Sequence, residues 1–338
     1  LYEELKTRIF SLTGEPGDFE GLALELFGYQ YQFNPLYRQF CDSLKKIPGK
    51  VTRLEHIPFL PIEFFKTSEV LTASPLPATG SRVFRSSGTT GQTQSRHVVA
   101  DVSVYETAFN LGFQLFYGLP EDFSFWALLP SYEENPDSSL ICMVNGLVKR
   151  SGKKHSRFWQ DTRAFRTLLA SHDIATHLHK DAKEKNILLG VTYALLDLVE
   201  KQKFSLRNTI IMETGGMKGR RKEMVREELH EKLCEGFGVS EIHSEYGMTE
   251  LLSQAYSAGK GIFHCPPWMR IMIRDTEDPF RYLEHERTGG INVIDLANIN
   301  SCCFIATQDL GKTHEENSFE VLGRFDNSDI RGCNLLVQ

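Results

Sequence analysis

No apolar run in the 338-residue chain approaches the ~20 residues that a membrane-spanning helix needs, and none follows a charged stretch at Leu1 in the manner of an export signal. Neither a span nor a signal segment is expected. Cysteine occurs seven times at irregular spacing, and never in the paired spacings of structural zinc. His264, Cys265, Cys302 and Cys303 therefore do not read as a metal set. The odd count argues against a disulfide framework and predicts free thiols in a reducing compartment, hence a cytoplasmic protein. Positive charge is in deficit: 38 Lys and Arg against 44 Asp and Glu give a net charge of −6. The basic clusters, Lys149–Arg157 and Lys218–Lys222, are short enough to be solvated helix ends or loops, so no nucleic-acid partner is expected. Internal repeats and long linkers are also missing.

What is present is the composition of a globular enzyme, 41% hydrophobic and 24% charged. Strand-like runs at Phe123–Leu129, Thr209–Met212, Ile291–Leu296 and Cys302–Thr307 alternate with helical patterns at Asp161–Ala170, Leu188–Glu200 and Arg220–Leu233, which predicts an α/β fold. The run 188–200 is apolar almost all round and reads as a buried helix. A Pro- and Ser-rich stretch, Leu71–Ser81, is the best candidate boundary. It would set a helical segment, residues 1–80, apart from an α/β body, residues 81–322, with a short tail at 323–338.

Two segments carry chemistry. Residues 85–97 read Arg-Ser-Ser-Gly-Thr-Thr-Gly-Gln-Thr-Gln-Ser-Arg-His. Gly88 and Gly91 let the backbone turn and present N–H groups, while Ser86, Ser87, Thr89 and Thr90 add hydroxyl donors to the same concavity, as a phosphate grip requires. Extended segments at Ser81–Arg85 and His97–Ala100 flank this loop, and a helix is expected to start at the capping-box pattern Ser103-x-x-Glu106. The loop lacks the Gly-Lys-Ser/Thr ending of the Walker type and the Gly-x-Gly-x-x-Gly spacing of dinucleotide folds. A polar surface turn is the plainer reading of such a composition. The second segment, Ser244-Glu-Tyr-Gly-Met-Thr-Glu250, suits a magnesium nucleotide. Tyr246 can lie against a purine, Gly247 allows close backbone approach, Thr249 can donate to a phosphate oxygen, and Glu250 is a hard oxygen ligand for Mg²⁺. Upstream, the strand at Thr209–Met212 runs into Gly215-Gly216, a tight turn on which a flat base can rest.

Taken in order, the Ser-Ser-Gly-Thr-Thr-Gly loop, Gly215-Gly216, Tyr246–Glu250, an Asp309-Leu-Gly311 turn and Gly323-Arg-Phe-Asp326 resemble the motif series of the adenylate-forming superfamily, which includes acyl-CoA synthetases and luciferases. The resemblance implies that the 86–91 loop holds the ATP phosphates, that Gly215 and Gly216 flank adenine, and that Tyr246 stacks on it, with Gly247 among the nucleotide-binding residues. It places Thr249 on the α-phosphate, Glu250 on magnesium, and Asp309 with Arg324 on the ribose. The pattern is broken twice. Gln92, Thr93 and Gln94 follow Gly91 where a lysine is usual, and Gln338 follows Gly323 by only fifteen residues, where other members continue into a small mobile domain.

One branch is similar in both departures, the acyl-protein synthetase or LuxE family. Asn34-Pro-Leu-Tyr37, Ile57-Pro-Phe-Leu-Pro61, His264-Cys-Pro-Pro-Trp268 and Arg331-Gly-Cys333 resemble its segments. The resemblance implies that a fatty or other carboxylic acid is activated as its adenylate, passed to Cys333 as a thioester, and delivered to an acyl-receiving protein. The residues themselves fit, since Arg331 favours a thiolate and Gly332 lets the tail turn, although Cys333 before Leu335, Leu336 and Val337 could equally be docked core. Adenylation needs no strong base, because a carboxylate is ionised at neutral pH, so no histidine is given a proton-transfer role and His243 is expected only to line a pocket. Two other functions remain open from the sequence. One is a phenylacetate-type ligase acylating coenzyme A or a carrier thiol, and the other a non-catalytic nucleotide-binding regulator.

Overall fold

A computed structural model describes residues 1–15, 17–72, 80–87, 93–130, 134–178, 185–206, 208–215 and 224–325, without the side chains of 172–178. Most of the expected boundary at Leu71–Ser81 lies outside the described residues. Packing divides the chain into two units that interleave in sequence: Leu1–Val83, Gly88–Val104 and His264–Gln338 form the first, Phe84–Ser87 and Tyr105–Phe263 the second.

The second unit is built on a parallel sheet. Its strands are ordered Arg157–Phe158, Phe123–Leu128, Lys185–Val191, Thr209–Thr214 and His243–Tyr246, and the antiparallel Ala255–Ser257 adds to the last. Lys185–Val191 is buried at every position after Lys185, as expected of a parallel strand whose two faces are both covered. Helices Ser139–Ser151, Thr162–Leu178, Thr192–Lys201 and Arg226–Phe237 provide the crossovers. Trp126, Phe165, Leu188, Leu195, Leu229, Leu233 and Phe237 close one core between helices and sheet. The sequence places these helices by their ends. Ser138 caps the first by accepting from the Ile141 N–H, and Gly152 ends it at φ 60°, a left-handed conformation that suits glycine.

Two local expectations are corrected here. The run 188–200 is not one helix: Lys185–Val191 is strand and Thr192–Lys201 helix. An apolar run without periodicity fits a doubly covered strand as well as a buried helix, which is why the pattern misled. The helix expected from Ser103 instead begins at Val102, with Asp101 accepting from the Ser103 N–H at 2.9 Å, so Asp101 rather than Ser103 caps it.

In the first unit, helices Tyr2–Phe10, Asp18–Phe33 and Pro35–Ser43 accompany an antiparallel set, Met269–Arg274, Gly289–Asp295, Phe304–Thr313 and Ser318–Arg324. The short strand Leu60–Pro61 runs parallel to Ile305 and Ala306. Asn34 separates two helices because its side chain caps the second, accepting from the Tyr37 N–H at 2.9 Å, while Pro35 occupies the first turn where no N–H is needed. Tyr37 stacks on Phe304 with ring centroids 6.2 Å apart, joining helix to sheet.

Gln30, fully buried, adds polar ties: its amide donates to the Asn298 and Ile299 carbonyls and its oxygen accepts from the Cys303 N–H at 2.9 Å. Gln30→Leu would remove these partners from the Ile299 carbonyl and the Cys303 N–H, while the Asn298 carbonyl keeps the Ser301 N–H at 3.0 Å, each full loss worth about 1–3 kcal/mol before relaxation. Urea unfolding is expected to show a loss of about 2–5 kcal/mol; a change below about 0.5 kcal/mol, the scale of an ordinary surface substitution, would contradict the tie.

Asp309-Leu-Gly311, expected as a turn, lies inside the strand Phe304–Thr313. Asp309 pairs with Arg324 and Leu310 with Gly323, and the register then shifts at Gly311. A Cβ on Gly311 would run into the Glu320 carbonyl, so this glycine serves close strand approach at a bulge instead of a reversal of the chain.

Candidate active site

Parallel strands place the candidate residues of the second unit by their carboxyl ends. Thr209–Thr214 and His243–Tyr246 are in register, Met212 opposite His243 and Thr214 opposite Glu245, so Gly215 and Gly247 leave the same edge of the sheet. Open parallel sheets bind ligands at that edge. Gly215 has φ 64°, a left-handed turn that a side chain would strain.

Tyr246 is buried and meets Phe263 edge-on, centroids 5.9 Å apart. Glu245 next to it is buried and accepts from the Thr214 hydroxyl, tying the two strand ends together. Thr249 and Glu250 follow in a turn, Thr249 half-buried and Glu250 buried.

The loop candidates divide. Ser86 is half-buried and Ser87 exposed just beyond Arg82–Arg85, which forms a two-stranded sheet with Arg96–Val99 as expected. Gly88, Thr89, Thr90, Gly91, Gly216 and Cys333 lie outside the described residues.

His243 sits against Tyr117, its Nδ1 3.1 Å from the phenol oxygen, and burial lowers its pKa below the ordinary histidine value. It is therefore neutral at neutral pH. Tyr117 packs edge-on to Tyr256, centroids 5.4 Å apart, and the Tyr256 hydroxyl is buried with no hydrogen-bond partner among the described residues. Sequence reasoning gave no role to Glu213, Glu245, Tyr117 or Tyr256. An acidic residue ending the apolar run Ile210-Ile-Met212 was the available signal for Glu213, since carboxylates are seldom buried unless paired.

In the first unit, Arg324 Nε donates to Asp309 Oδ1 at 3.0 Å across the paired strands, so the two residues expected to act together are joined. Asp309 is buried, and the Asp309 N–H donates to the Thr307 hydroxyl at 3.1 Å. Beneath them Arg274, which no motif singled out, donates to the Ile291 and Thr307 carbonyls and to Asn292. A separate cleft of about 410 Å³, lined by Phe19, Cys265, Met269 and Arg270 among others, contains none of the expected site residues. No helix among the described residues is long and apolar enough to cross a membrane.

The fold is that of the adenylate-forming ligases. A 2-hydroxyisobutyryl-CoA ligase solved in complex with 2-HIB-AMP and CoA superposes with TM-score 0.64 at 14% identity, over 94% of this chain and 72% of that one. ATP-bound MatB from Rhodopseudomonas palustris gives 0.54 at 16% identity, over 76% of this chain; the match spans half the length of MatB. Among curated proteins, the long-chain-fatty-acid–luciferin-component ligase of Vibrio harveyi is 24% identical over 330 residues, 91% of this chain and 84% of that protein. Residues 17–338 match the acyl-protein synthetase family LuxE, and the chain belongs to that family. Its enzyme class is therefore ligase.

Proposed function

We propose that the chain activates a fatty carboxylic acid with ATP and magnesium, transfers the acyl group to its own Cys333, and delivers it to an acyl-receiving protein. The observation that carries this reading is the alignment of Gly215 and the Tyr246–Glu250 segment at the carboxyl edge of one parallel sheet, in a chain of the acyl-protein synthetase family. The fatty-acid class follows the name of the Vibrio harveyi relative, ATP follows the ATP-bound MatB of the same fold, and magnesium follows from the carboxylate at Glu250 beside a nucleotide's phosphates.

In the first step a carboxylate oxygen attacks the α-phosphorus of ATP, a mixed anhydride forms, and pyrophosphate leaves. Ser86, Ser87 and the rest of the loop to Gly91 hold the phosphates, and Thr249 donates to the α-phosphate. Gly215 and Gly216 flank adenine, with Tyr246 and Gly247 against the base. Glu250 supplies a carboxylate for magnesium, which is commonly bound by one or two carboxylates plus substrate phosphates. That ion would neutralise the charge developing on the α-phosphate. In the second step the Cys333 thiolate attacks the acyl carbon, the thioester forms, and AMP departs. Burial supports this choice of acceptor against five of the other six cysteines. It pushes the Cys41 thiol up to about 12 and raises Cys234, Cys265, Cys302 and Cys303 as well, so these offer little thiolate near neutral pH.

Carboxylate-dependent exchange of labelled pyrophosphate into ATP tests the first step. Exchange that rises with a fatty acid and stops without magnesium is expected; ATP binding with no exchange for any acid would favour a non-catalytic regulator. We assign the ribose hydroxyls to Asp309, held by Arg324. Loss of a hydrogen bond to a charged group costs about 1.5–3 kcal/mol, or about 10–100-fold in affinity. The wild-type chain is expected to prefer ATP over 3′-deoxy-ATP by about that factor, and Asp309→Ala to treat the two alike. A variant that keeps the preference would remove Asp309 from the site.

A further inference from the structure

Glu213 is a buried carboxylate, 6% exposed, for which the reaction above has no use. It stands two residues before Gly215 and directly opposite Ser244, which stands two residues before Tyr246. Its Oε1 accepts from the Ser244 hydroxyl at 2.8 Å and from Arg226 Nη1 at 3.2 Å, and His230 Nε2 lies 3.7 Å away. Its Oε2 accepts from the Thr192 hydroxyl at 2.9 Å. Thr192 opens the helix Thr192–Lys201, and Arg226 and His230 belong to Arg226–Phe237, so one side chain ties two strands to two helices at the sheet edge. Burial alone would raise its pKa, but His230, Arg226 and the two hydroxyls together hold it below the ordinary glutamate value, and it is ionised at neutral pH.

Contacts continue from this carboxylate to the base-binding ring. The Arg226 guanidinium lies over Phe263, 5.2 Å from its centroid, and Phe263 meets Tyr246 edge-on. Removing the carboxylate would leave a cation and two hydroxyls competing for new partners in a low-dielectric interior.

We infer that Glu213 is a positioning residue for the nucleotide: through Ser244 and through Arg226 and Phe263 it fixes Tyr246 and the Gly215 turn in the spacing that the adenine ring requires. The inference rests on the nucleotide reading of these residues. It predicts a selective defect. In Glu213→Gln the KM for ATP is expected to rise about tenfold, with the KM for the fatty acid unchanged within twofold. Arg226→Met should give the same split, and the double variant should be no worse than the more affected single one, because both changes break one path.

MgATP binding to the wild-type chain and to the variants, measured by titration calorimetry below the melting temperature, separates the possibilities. Wild type that binds while Glu213→Gln binds tenfold more weakly supports the inference. Wild type that binds with Glu213→Gln equal to it, or a variant whose two KM values rise together, overturns it and leaves the nucleotide reading standing. Wild type that does not bind removes both. Should Glu213→Gln fail to fold, Thr192→Val, which deletes one donor at nearly constant shape, carries the test. A rise of threefold or more in the KM for ATP alone supports the inference, and no rise overturns it.

Discussion

A chain carrying Cys333→Ser is expected to exchange pyrophosphate into ATP at the wild-type rate and to retain no acyl group that neutral hydroxylamine can remove. The two steps separate because they use different nucleophiles. Adenylation needs only the substrate carboxylate, which is already ionised. Acyl transfer needs a thiolate, and a serine hydroxyl without an adjacent base is a far weaker nucleophile. Burial holds up the thiols of Cys41, Cys234, Cys265, Cys302 and Cys303, which leaves them poorly placed to substitute. The thioester-linked fraction should therefore fall at least about 100-fold. A hydroxylamine-labile acyl group persisting in the variant would assign the acceptor role to another thiol.

Glu250→Gln should act on the other step. The amide nearly preserves shape but replaces one acceptor oxygen with an N–H donor and removes the charge that a magnesium ion requires. Loss of one electrostatic contact to a developing transition-state charge typically lowers turnover about 100–1,000-fold. Fatty-acid-dependent pyrophosphate exchange is expected to fall by that order, with the half-saturating magnesium concentration raised. Buried Glu250 is part of the second unit, so unchanged thermal melting must accompany the loss before it is read as catalytic. Exchange with an unaltered magnesium dependence would take Glu250 out of the metal site.

The strands expected at Phe123–Leu129, Thr209–Met212, Ile291–Leu296 and Cys302–Thr307 are present because bulky β-favouring residues bounded by turn signals suffice to mark them. Order along the chain also revealed the strand-end positions of Gly215 and Tyr246. Less was legible where tertiary contact decides. Leu188–Val191 looked helical because both strand faces are covered, and Asp309–Gly311 looked like a turn because Asp and Gly are poor strand formers, whereas pairing with Ser318–Arg324 and a bulge hold them extended. The Glu213 cluster was out of reach, since Thr192, Arg226, His230 and Ser244 come together only through the sheet and its crossovers.

The central claim is that the chain carries its own activated acyl group, and intact-protein mass spectrometry tests it most directly. The wild-type chain would be incubated with Mg-ATP and saturated fatty acids of increasing length, then digested to map any adduct. The account predicts one acyl mass that requires ATP, maps to Cys333 and disappears with hydroxylamine. No protein-bound acyl group with any acid, while AMP forms once coenzyme A or a carrier protein is supplied, would contradict it.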